Sequence, residues 1–277
     1  MKHSEGKFRG HKNLNIYYQC WLPSRKIKAI LLVAHGMCEH SGRYINLANY
    51  FVPKDYAIFG VDHRGHGKSE GLRGYVERFQ DYLDDLQAFI NIVHSQQGSH
   101  KTFLLGHGLG GLIAAAYTVH HQHELVGTLL SSAAIKVTPD ISPVLRTAVP
   151  LLSTLLPKMG ATALNTSALS QDQAVIEDFL NDPLVYKGKI SMRLGAEMMK
   201  AAEKLQPQMP WIHLPILIMH GTADRLSDME GSQILYEQVN SQDKTLKLYE
   251  DFYHDIFNEP GHEQVFADVE AWLTAHI

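Results

Sequence analysis

Continuous apolar runs alternate with amphipathic segments along most of the chain. Runs such as KAILLVAH (28–35) and PILIMHG (215–221) are typical of strands buried on both faces of a sheet. Between them, segments such as VERFQDYLDDLQAFINIVHSQQ (76–97) place apolar residues at helical spacing, with Gly98 as a stop. This order predicts an α/β fold with a mostly parallel sheet of about eight strands, flanked by helices and joined by right-handed crossovers.

The alternation stops near Ile135 and resumes after Pro183. Prolines punctuate the intervening segment, which shows no strand pattern; they are Pro139, Pro143, Pro150 and Pro157. We therefore predict a helical cap over 136–183, inserted between two parts of one α/β core domain, 1–135 and 184–277.

The first part of the predicted cap is unusually apolar. A helix of this kind must be buried, either against the core or as a lid that lines an acyl tunnel and contacts membranes. Both interpretations stay open. The candidate substrate-binding residues are Leu145, Val149, Leu151 and Leu152.

Composition excludes several classes of function. The net charge of −4 and the pI near 6.5 leave no basic stripe for nucleic acid. The polar start predicts no signal peptide, and no apolar run is long enough for a transmembrane span. The two cysteines, Cys20 and Cys38, are too few for a disulfide framework, so we expect a cytoplasmic protein, with peripheral membrane contact through the cap.

The segment FLLGHGLGG (103–111) carries the strongest chemical signal. A buried strand runs into a glycine-flanked turn and then directly into a helix, as in the G-x-S-x-G nucleophile elbow of α/β-hydrolases. Gly108 stands where that pattern has the attacking serine. A phosphate-binding loop is the alternative, but the spacing fits neither G-x-G-x-x-G nor a lysine-ending P-loop.

Further segments resemble the monoacylglycerol lipase and lysophospholipase family of α/β-hydrolases over almost the whole chain. The matching segments, in order, are HGMCEHSGRY (35–44), VDHRGHGKSEG (61–71), GTADRLSD (221–228), SQDKTLKLYE (241–250) and YHDIFNE (253–259). The chain departs from the family pattern at Cys38, usually glycine, and at Gly108, usually serine. Only the second departure removes a reactive group.

Chemical need and the resemblance together assign the remaining roles. Asp224 follows a strand in a tight turn and is the candidate acid, although helix capping is the alternative role for an aspartate there. His254 follows the next strand and is the candidate base. An oxyanion hole needs two backbone N–H groups, which we assign to Met37 and Leu109. By resemblance, nearby side chains brace the Met37 loop; they are Glu39, His40 and Arg43.

The resemblance implies a hydrolase of single-chain lipid esters such as monoacylglycerols and lysophospholipids. With Gly108 in place of serine, we expect the chain as written to be inactive or nearly so. It is either an inactivated form of a serine enzyme or a natural pseudoenzyme that binds a lipid or a protein without turnover. Epoxide and haloalkane hydrolases are disfavoured because they need an aspartate at the elbow.

We predict no cofactor and no metal. A histidine base and backbone donors complete the mechanism without either. In the densest histidine group, VHHQHE (119–124), only His120 and His123 have the spacing of ligands on one helical face, and no carboxylate motif accompanies them. A solvated helix end is therefore the simpler interpretation.

Overall fold

The computed structural model describes residues 1–98, 100–136 and 152–277. Eight strands form one sheet and two short strands form a second sheet. The strands are β1 (Lys2–Arg9), β2 (Asn15–Leu22), β3 (Ala29–Ala34), β4 (Tyr56–Val61), β5 (Thr102–His107), β6 (Gly127–Ser131), β7 (Gly160–Thr162), β8 (Ile190–Ser191), β9 (Ile216–Gly221) and β10 (Lys244–Tyr249).

The large sheet has the order β1-β2-β4-β3-β5-β6-β9-β10. Within this sheet β2 runs antiparallel to both of its neighbours, β1 and β4, and the six strands β4, β3, β5, β6, β9 and β10 run parallel to one another. The predicted mostly parallel sheet of about eight strands is therefore confirmed. The chain passes from β3 to β4 on one side of β3 and then to β5 on the other side. Such a topological switch point opens a crevice at the carboxyl ends of the strands, where α/β proteins bind ligands.

Helices cover both faces of this sheet. The helices described in full are α1 (Ile45–Phe51), α2 (Gln80–Gln97), α3 (Leu109–His121), α4 (Gln173–Asn181), α5 (Met192–Leu205), α6 (Met229–Gln238) and α7 (Glu263–Ala275). Residues from α1 and α7 pack into the apolar core on one face, and residues from α2, α3 and α5 pack into the core on the other. The central strands are buried throughout because they lie between these two cores.

The segment predicted as a cap contains a strand that the sequence pattern did not indicate. Residues Gly160–Thr162 pair with Ile190–Ser191, just beyond the predicted cap. Strands of three and two residues are too short to show an alternating pattern, so this prediction of a strand-free segment was wrong. The division into core and cap stays a prediction. No described helix is long and apolar enough to cross a membrane.

Three of the four candidate substrate-binding residues lie outside the described residues. These are Leu145, Val149 and Leu151. Leu152 lies in a helical stretch, 152–155, and is half-buried.

Candidate active site

The strand β5 ends in a tight turn at Gly108, and α3 begins at the next residue. Gly108 has φ 51° and ψ −113°, a conformation that is costly for a residue with a side chain. Backbone hydrogen bonds hold the turn: the Gly108 N–H donates to the Ser131 carbonyl at 3.0 Å, and its carbonyl accepts from Ala134 at 3.0 Å. The shape of this elbow therefore does not depend on a side chain at position 108.

The flanking glycines are required by close contacts between backbones. A Cβ atom on Gly110 would lie 2.0 Å from the carbonyl oxygen of Ala34, at the end of β3. A Cβ atom on Gly106 would lie 2.3 Å from the Gly110 carbonyl oxygen. Because neither contact is possible, these positions exclude any larger residue, as expected for a nucleophile elbow.

The loop after β3 faces the elbow from the neighbouring strand. The place where a Gly108 Cβ would stand is 3.7 Å from the Gly36 Cα atom. The Glu39 carboxylate accepts the Gly36 N–H and the Tyr44 hydroxyl, and it lies near the Arg43 guanidinium, so it braces this loop. Met37 and Leu109 both line the cavity beside Gly108. The Leu109 N–H, at the first position of α3, has no acceptor within the helix.

The two remaining candidate residues meet at the ends of β9 and β10. His254 Nδ1 is 2.8 Å from Asp224 Oδ2, and the Asp224 side chain is fully buried. Asp224 Oδ1 accepts the backbone N–H groups of Leu226 and Ser227 at 2.7 and 3.0 Å. The acid is thus held by the turn in which it lies. The capping role that was the alternative for Asp224 belongs to Asp228, whose side chain accepts the Glu230 N–H.

Electrostatics around this pair favour a charged imidazole and an ionised acid. Burial lowers the pKa of His254, but the carboxylate and hydrogen bond of Asp224 outweigh burial, so the pKa is raised above its usual value of 6.5. Burial raises the pKa of Asp224, while His254 and His220 more than offset it and hold that pKa well below its usual range. His254 Nδ1 faces a carboxylate and therefore carries its hydrogen, which leaves Nε2 as the basic atom.

A second buried histidine supports the acid, and sequence reasoning missed it. His220 Nε2 lies 3.2 Å from Asp224 Oδ2 and 3.2 Å from the Ser227 carbonyl oxygen. Since both neighbours are acceptors, Nε2 carries the hydrogen and donates it. Ser232 lies 2.7 Å from the other ring nitrogen. The only sequence signal is a histidine four residues before the acid, and that spacing in a turn does not by itself indicate contact.

His254 Nε2 is aimed at Gly108. It would lie 3.1 Å from a Cβ atom built on that glycine. Among the described residues, no hydroxyl or thiol forms a hydrogen bond with this nitrogen. Cys38 is no substitute nucleophile, because it is fully buried and burial raises the pKa of its thiol to about 12.

A cavity of about 210 Å³ opens beside these groups. Its apolar lining comes from α5, from the loop after β9 and from the β7–β8 region, which sequence reasoning did not assign to the site. The residues that line it include Leu164, Ile190, Met198, Met199 and Leu226. Leu152 is not among the described lining residues.

Comparison with known proteins agrees with this architecture. The family model described as serine aminopeptidase, S33 (Hydrolase_4) matches residues 25–261. A monoacylglycerol lipase from Mycolicibacterium smegmatis is 31% identical over 99% of this chain and 98% of its own length. A monoglyceride lipase from Rattus norvegicus is 34% identical over 95% of this chain and 88% of its own length. The chain belongs to the Hydrolase_4 family and is similar over almost its whole length to the monoacylglycerol lipases.

Solved structures of the family superpose on the whole chain. A monoacylglycerol lipase from Paleococcus ferrophilus gives a TM-score of 0.84 at 27% identity, with both chains fully covered. A soluble variant of the Saccharomyces cerevisiae monoglyceride lipase, in complex with a substrate analog, gives 0.89 at 25% identity and covers 100% of this chain and 95% of that chain. The resemblance inferred from the motifs is confirmed.

The backbone explains one departure from the family motif. Cys38, where the motif usually has glycine, has φ 68°, in the left-handed region that glycine adopts at least cost. Its carbonyl accepts the Tyr186 N–H at 2.8 Å, and its side chain packs with Leu169, Phe179 and Val185. Relative to glycine, the cysteine therefore has a backbone conformation of higher energy, but its side chain adds apolar contacts.

One group among the described residues has metal-ligand spacing, and it lies outside the active site. Single ligand atoms of His11, Asp81 and Asp84 lie within 4.8 Å of one another. Asp81 also pairs with three cations, Lys12, Arg64 and Arg78. These ion pairs explain the position of Asp81 without a metal.

Proposed function

We propose that this chain has the scaffold of a serine hydrolase for single-chain lipid esters and that Gly108 leaves it without the attacking atom. One observation carries the proposal: the Asp224–His254 pair is assembled at 2.8 Å, and Nε2 points at the place where a nucleophile would stand. As written, the chain is expected to be inactive or nearly so, because glycine supplies no oxygen to attack a carbonyl.

Each remaining part has a defined task once a serine is present. The hydroxyl proton passes to His254 Nε2 while the oxygen attacks the ester carbon, and Asp224 stabilises the imidazolium. The Met37 and Leu109 N–H groups are proposed to stabilise the oxyanion. His254 then protonates the leaving alcohol, and water releases the acid by the same steps.

The cavity supports the choice of substrate class. An aminopeptidase must recognise a charged amine, yet no acidic side chain is among the described residues that line the cavity. Its apolar side chains suit an acyl chain instead. The curated relatives named above as lipases point in the same direction, so we propose monoacylglycerols, lysophospholipids or similar esters as substrates.

Restoring the nucleophile tests this proposal. We expect Gly108→Ser to hydrolyse a monoacylglycerol with a gain on the order of a million-fold over the parent chain, the size of the loss when a triad serine is removed elsewhere. A fluorophosphonate probe should label Gly108→Ser but not the parent. The matched control is Gly108→Ser with His254→Gln, which should remain inert. If Gly108→Ser folds but neither labels nor turns over lipid and short-chain esters, the chain is a pseudoenzyme scaffold.

The proposed mechanism needs neither metal nor cofactor. A chelator should therefore leave the hydrolysis rate of Gly108→Ser unchanged, measured on the same ester before and after treatment. A large loss that returns on addition of a divalent cation would contradict the proposal.

We also propose peripheral membrane contact through the segment around 152–159. Leu155, Leu156 and Met159 are exposed by 66%, 50% and 38% of their surface. Apolar side chains exposed together are typical of surfaces that contact lipid or protein. Replacing Leu155 and Leu156 by serine should reduce co-sedimentation with phosphatidylcholine vesicles. Replacing the exposed Leu248, on β10, by serine should not change it. Equal binding by all three proteins would contradict this proposal.

A further inference from the structure

We propose that the Gly108 site, in this chain as it stands, binds long-chain monocarboxylates. The carboxylate would lie between His254 Nε2 and the N–H groups of Met37 and Leu109, with the acyl chain in the adjacent cavity. The inference rests on the proposed position of the oxyanion donors but requires no turnover. It therefore stands apart from the hydrolytic activity expected of Gly108→Ser.

The first step is the space at position 108. The three atoms nearest to a Cβ built there are Nε2 and Cε1 of His254, at 3.1 and 3.5 Å, and the Gly36 Cα atom, at 3.7 Å. In a serine enzyme this volume holds the Cβ and hydroxyl of the nucleophile. With glycine, a ligand oxygen can approach the turn itself, where it meets no competing side-chain oxygen.

The second step is the unpartnered nitrogen of His254. The residue is only 8% exposed, its Nδ1 side is engaged by Asp224, and Nε2 forms no hydrogen bond among the described residues. Protonation turns Nε2 into a charged donor aimed at the same volume. A charged donor and backbone N–H groups suit an anion with two oxygens better than they suit an ester.

The surrounding charges favour protonation of this histidine when an anion binds. Asp224 contacts the ring directly, while Asp255 and Glu39 also raise its pKa. On the opposite side the ring packs on His107 at 4.6 Å between centroids, and burial, aided by His254, lowers the pKa of His107 to about 3, which leaves it neutral. Lys136 lines the cavity but is paired with Asp228 and Glu230. His254 is thus the group expected to take up a proton with the carboxylate.

The third step concerns the acyl chain. The cavity begins at Gly108 and His254 and continues past apolar side chains of α5, including Met198 and Met199. A carboxylate at the polar end therefore directs an alkyl chain along this lining. An alcohol or an ester of equal chain length gains the same apolar contacts but not the charged hydrogen bond, which separates the two classes of ligand.

Calorimetric titration of the parent chain with decanoate tests the inference. We expect decanoate to bind more tightly than decanol or 1-decanoylglycerol, and at a pH above the pKa of His254 each bound decanoate should take up one proton from the buffer. Above the pKa of His254, affinity should fall about 10-fold per pH unit, because binding then requires protonation. Decanol affinity should not change with pH. Equal affinities of decanoate and decanol at every pH, or decanoate binding without proton uptake above the pKa of His254, would overturn the inference.

Variants identify the groups responsible. His254→Gln should weaken decanoate binding about 10- to 100-fold, the range for losing a charge-assisted hydrogen bond, and abolish its pH dependence. Gly108→Ala should weaken decanoate but not decanol, since its Cβ fills the space beside Nε2. Gly98→Ser is the matched control, because Gly98 also has positive φ but nothing lies within 4 Å of its Cβ position. If Gly108→Ala does not fold, the His254→Gln titration still decides.

The two proposals fail separately. If Gly108→Ser hydrolyses esters but the parent does not bind decanoate, only the carboxylate site is wrong. If the parent binds decanoate with proton uptake but Gly108→Ser is inert, only the proposed hydrolytic function is wrong.

Discussion

The two halves of the active site differ in what holds them together. At the ends of β9 and β10, side chains do so: Asp224 receives hydrogen bonds from His254 and from two backbone N–H groups, and His220 Nε2 lies 3.2 Å from its carboxylate. At the ends of β3 and β5, the backbone does so, through glycines packed against carbonyl oxygens and hydrogen bonds on both sides of Gly108. The acid–base half is built from side-chain chemistry and the nucleophile half from backbone shape.

This difference means that the elbow can keep its shape with a glycine at position 108. Removing a serine side chain would break no contact that shapes the elbow, because the contacts made at position 108 are hydrogen bonds of its backbone N–H and carbonyl. The acid–base pair likewise stays assembled without a nucleophile, since the hydrogen bond between His254 Nδ1 and Asp224 does not involve position 108. At the elbow, the backbone sets the shape and a side chain would set the reactivity. In the Asp224–His254 pair, the same side chains set both.

The largest expected effect is in the acid–base half. In the Gly108→Ser background, Asp224→Asn should lower turnover about 10⁴-fold, as in another serine-hydrolase triad, because the imidazole loses its tautomer and its counter-charge. His254 must be neutral to act as base, so the rate should rise with pH through a midpoint above 6.5, and Asp224→Asn should move that midpoint lower. Rate–pH profiles of both proteins check this. An unchanged midpoint would mean that Asp224 does not raise the pKa of His254.

The next effect tests whether backbone packing shapes the nucleophile half. Gly110→Ala should destabilise the protein by about 3 kcal/mol, because its Cβ would overlap the Ala34 carbonyl oxygen. Gly195→Ala is the control, since that helical glycine has no atom within 4 Å of its Cβ position and should gain roughly 0.5–1 kcal/mol. Chemical denaturation of the two variants measures both. Similar stabilities would show that the elbow tolerates a side chain there.

His220 tests how far the side-chain network extends. In the Gly108→Ser background, His220→Leu should lower kcat by about 10- to 100-fold with little change in KM, because Asp224 loses a donor. His220→Gln should restore part of the loss, since an amide can donate to the same carboxylate. His94→Leu, which removes a 3.2 Å contact with Thr102 at the opposite end of β5, should leave kcat unchanged. Equal losses for all three would indicate a merely structural role.

The smallest expected effect is the stability cost of the nucleophile itself. A serine at φ 51° and ψ −113° stores strain of roughly 1–3 kcal/mol, offset in part by a hydrogen bond to His254 of about 1 kcal/mol. Gly108→Ser should therefore melt slightly below the parent, as calorimetry of both forms would show. A higher melting temperature for Gly108→Ser would mean that the elbow was shaped around a side chain after all.

Local sequence determined the sheet and the elbow. The buried strands between Ala29 and Gly221 can be predicted from continuous apolar runs, because both faces of each strand are covered. The glycines that flank position 108 predict a tight strand–helix turn. The structure agrees, because Cβ atoms on Gly106 and Gly110 would lie 2.3 and 2.0 Å from backbone carbonyl oxygens. The motifs also led to Asp224 and His254, which the structure brings together.

Only the tertiary structure decided which side chains surround that site. His220 reaches Asp224 because a turn folds back on itself. β7 pairs with β8 across nearly thirty residues of chain. Neither contact produces a periodic pattern in the sequence. Likewise, the apolar pattern of α5 predicts a buried face but not that Met198 and Met199 on it line a cavity. The period of the apolar residues shows which face of a segment is buried, whereas the residues that it contacts depend on long-range packing.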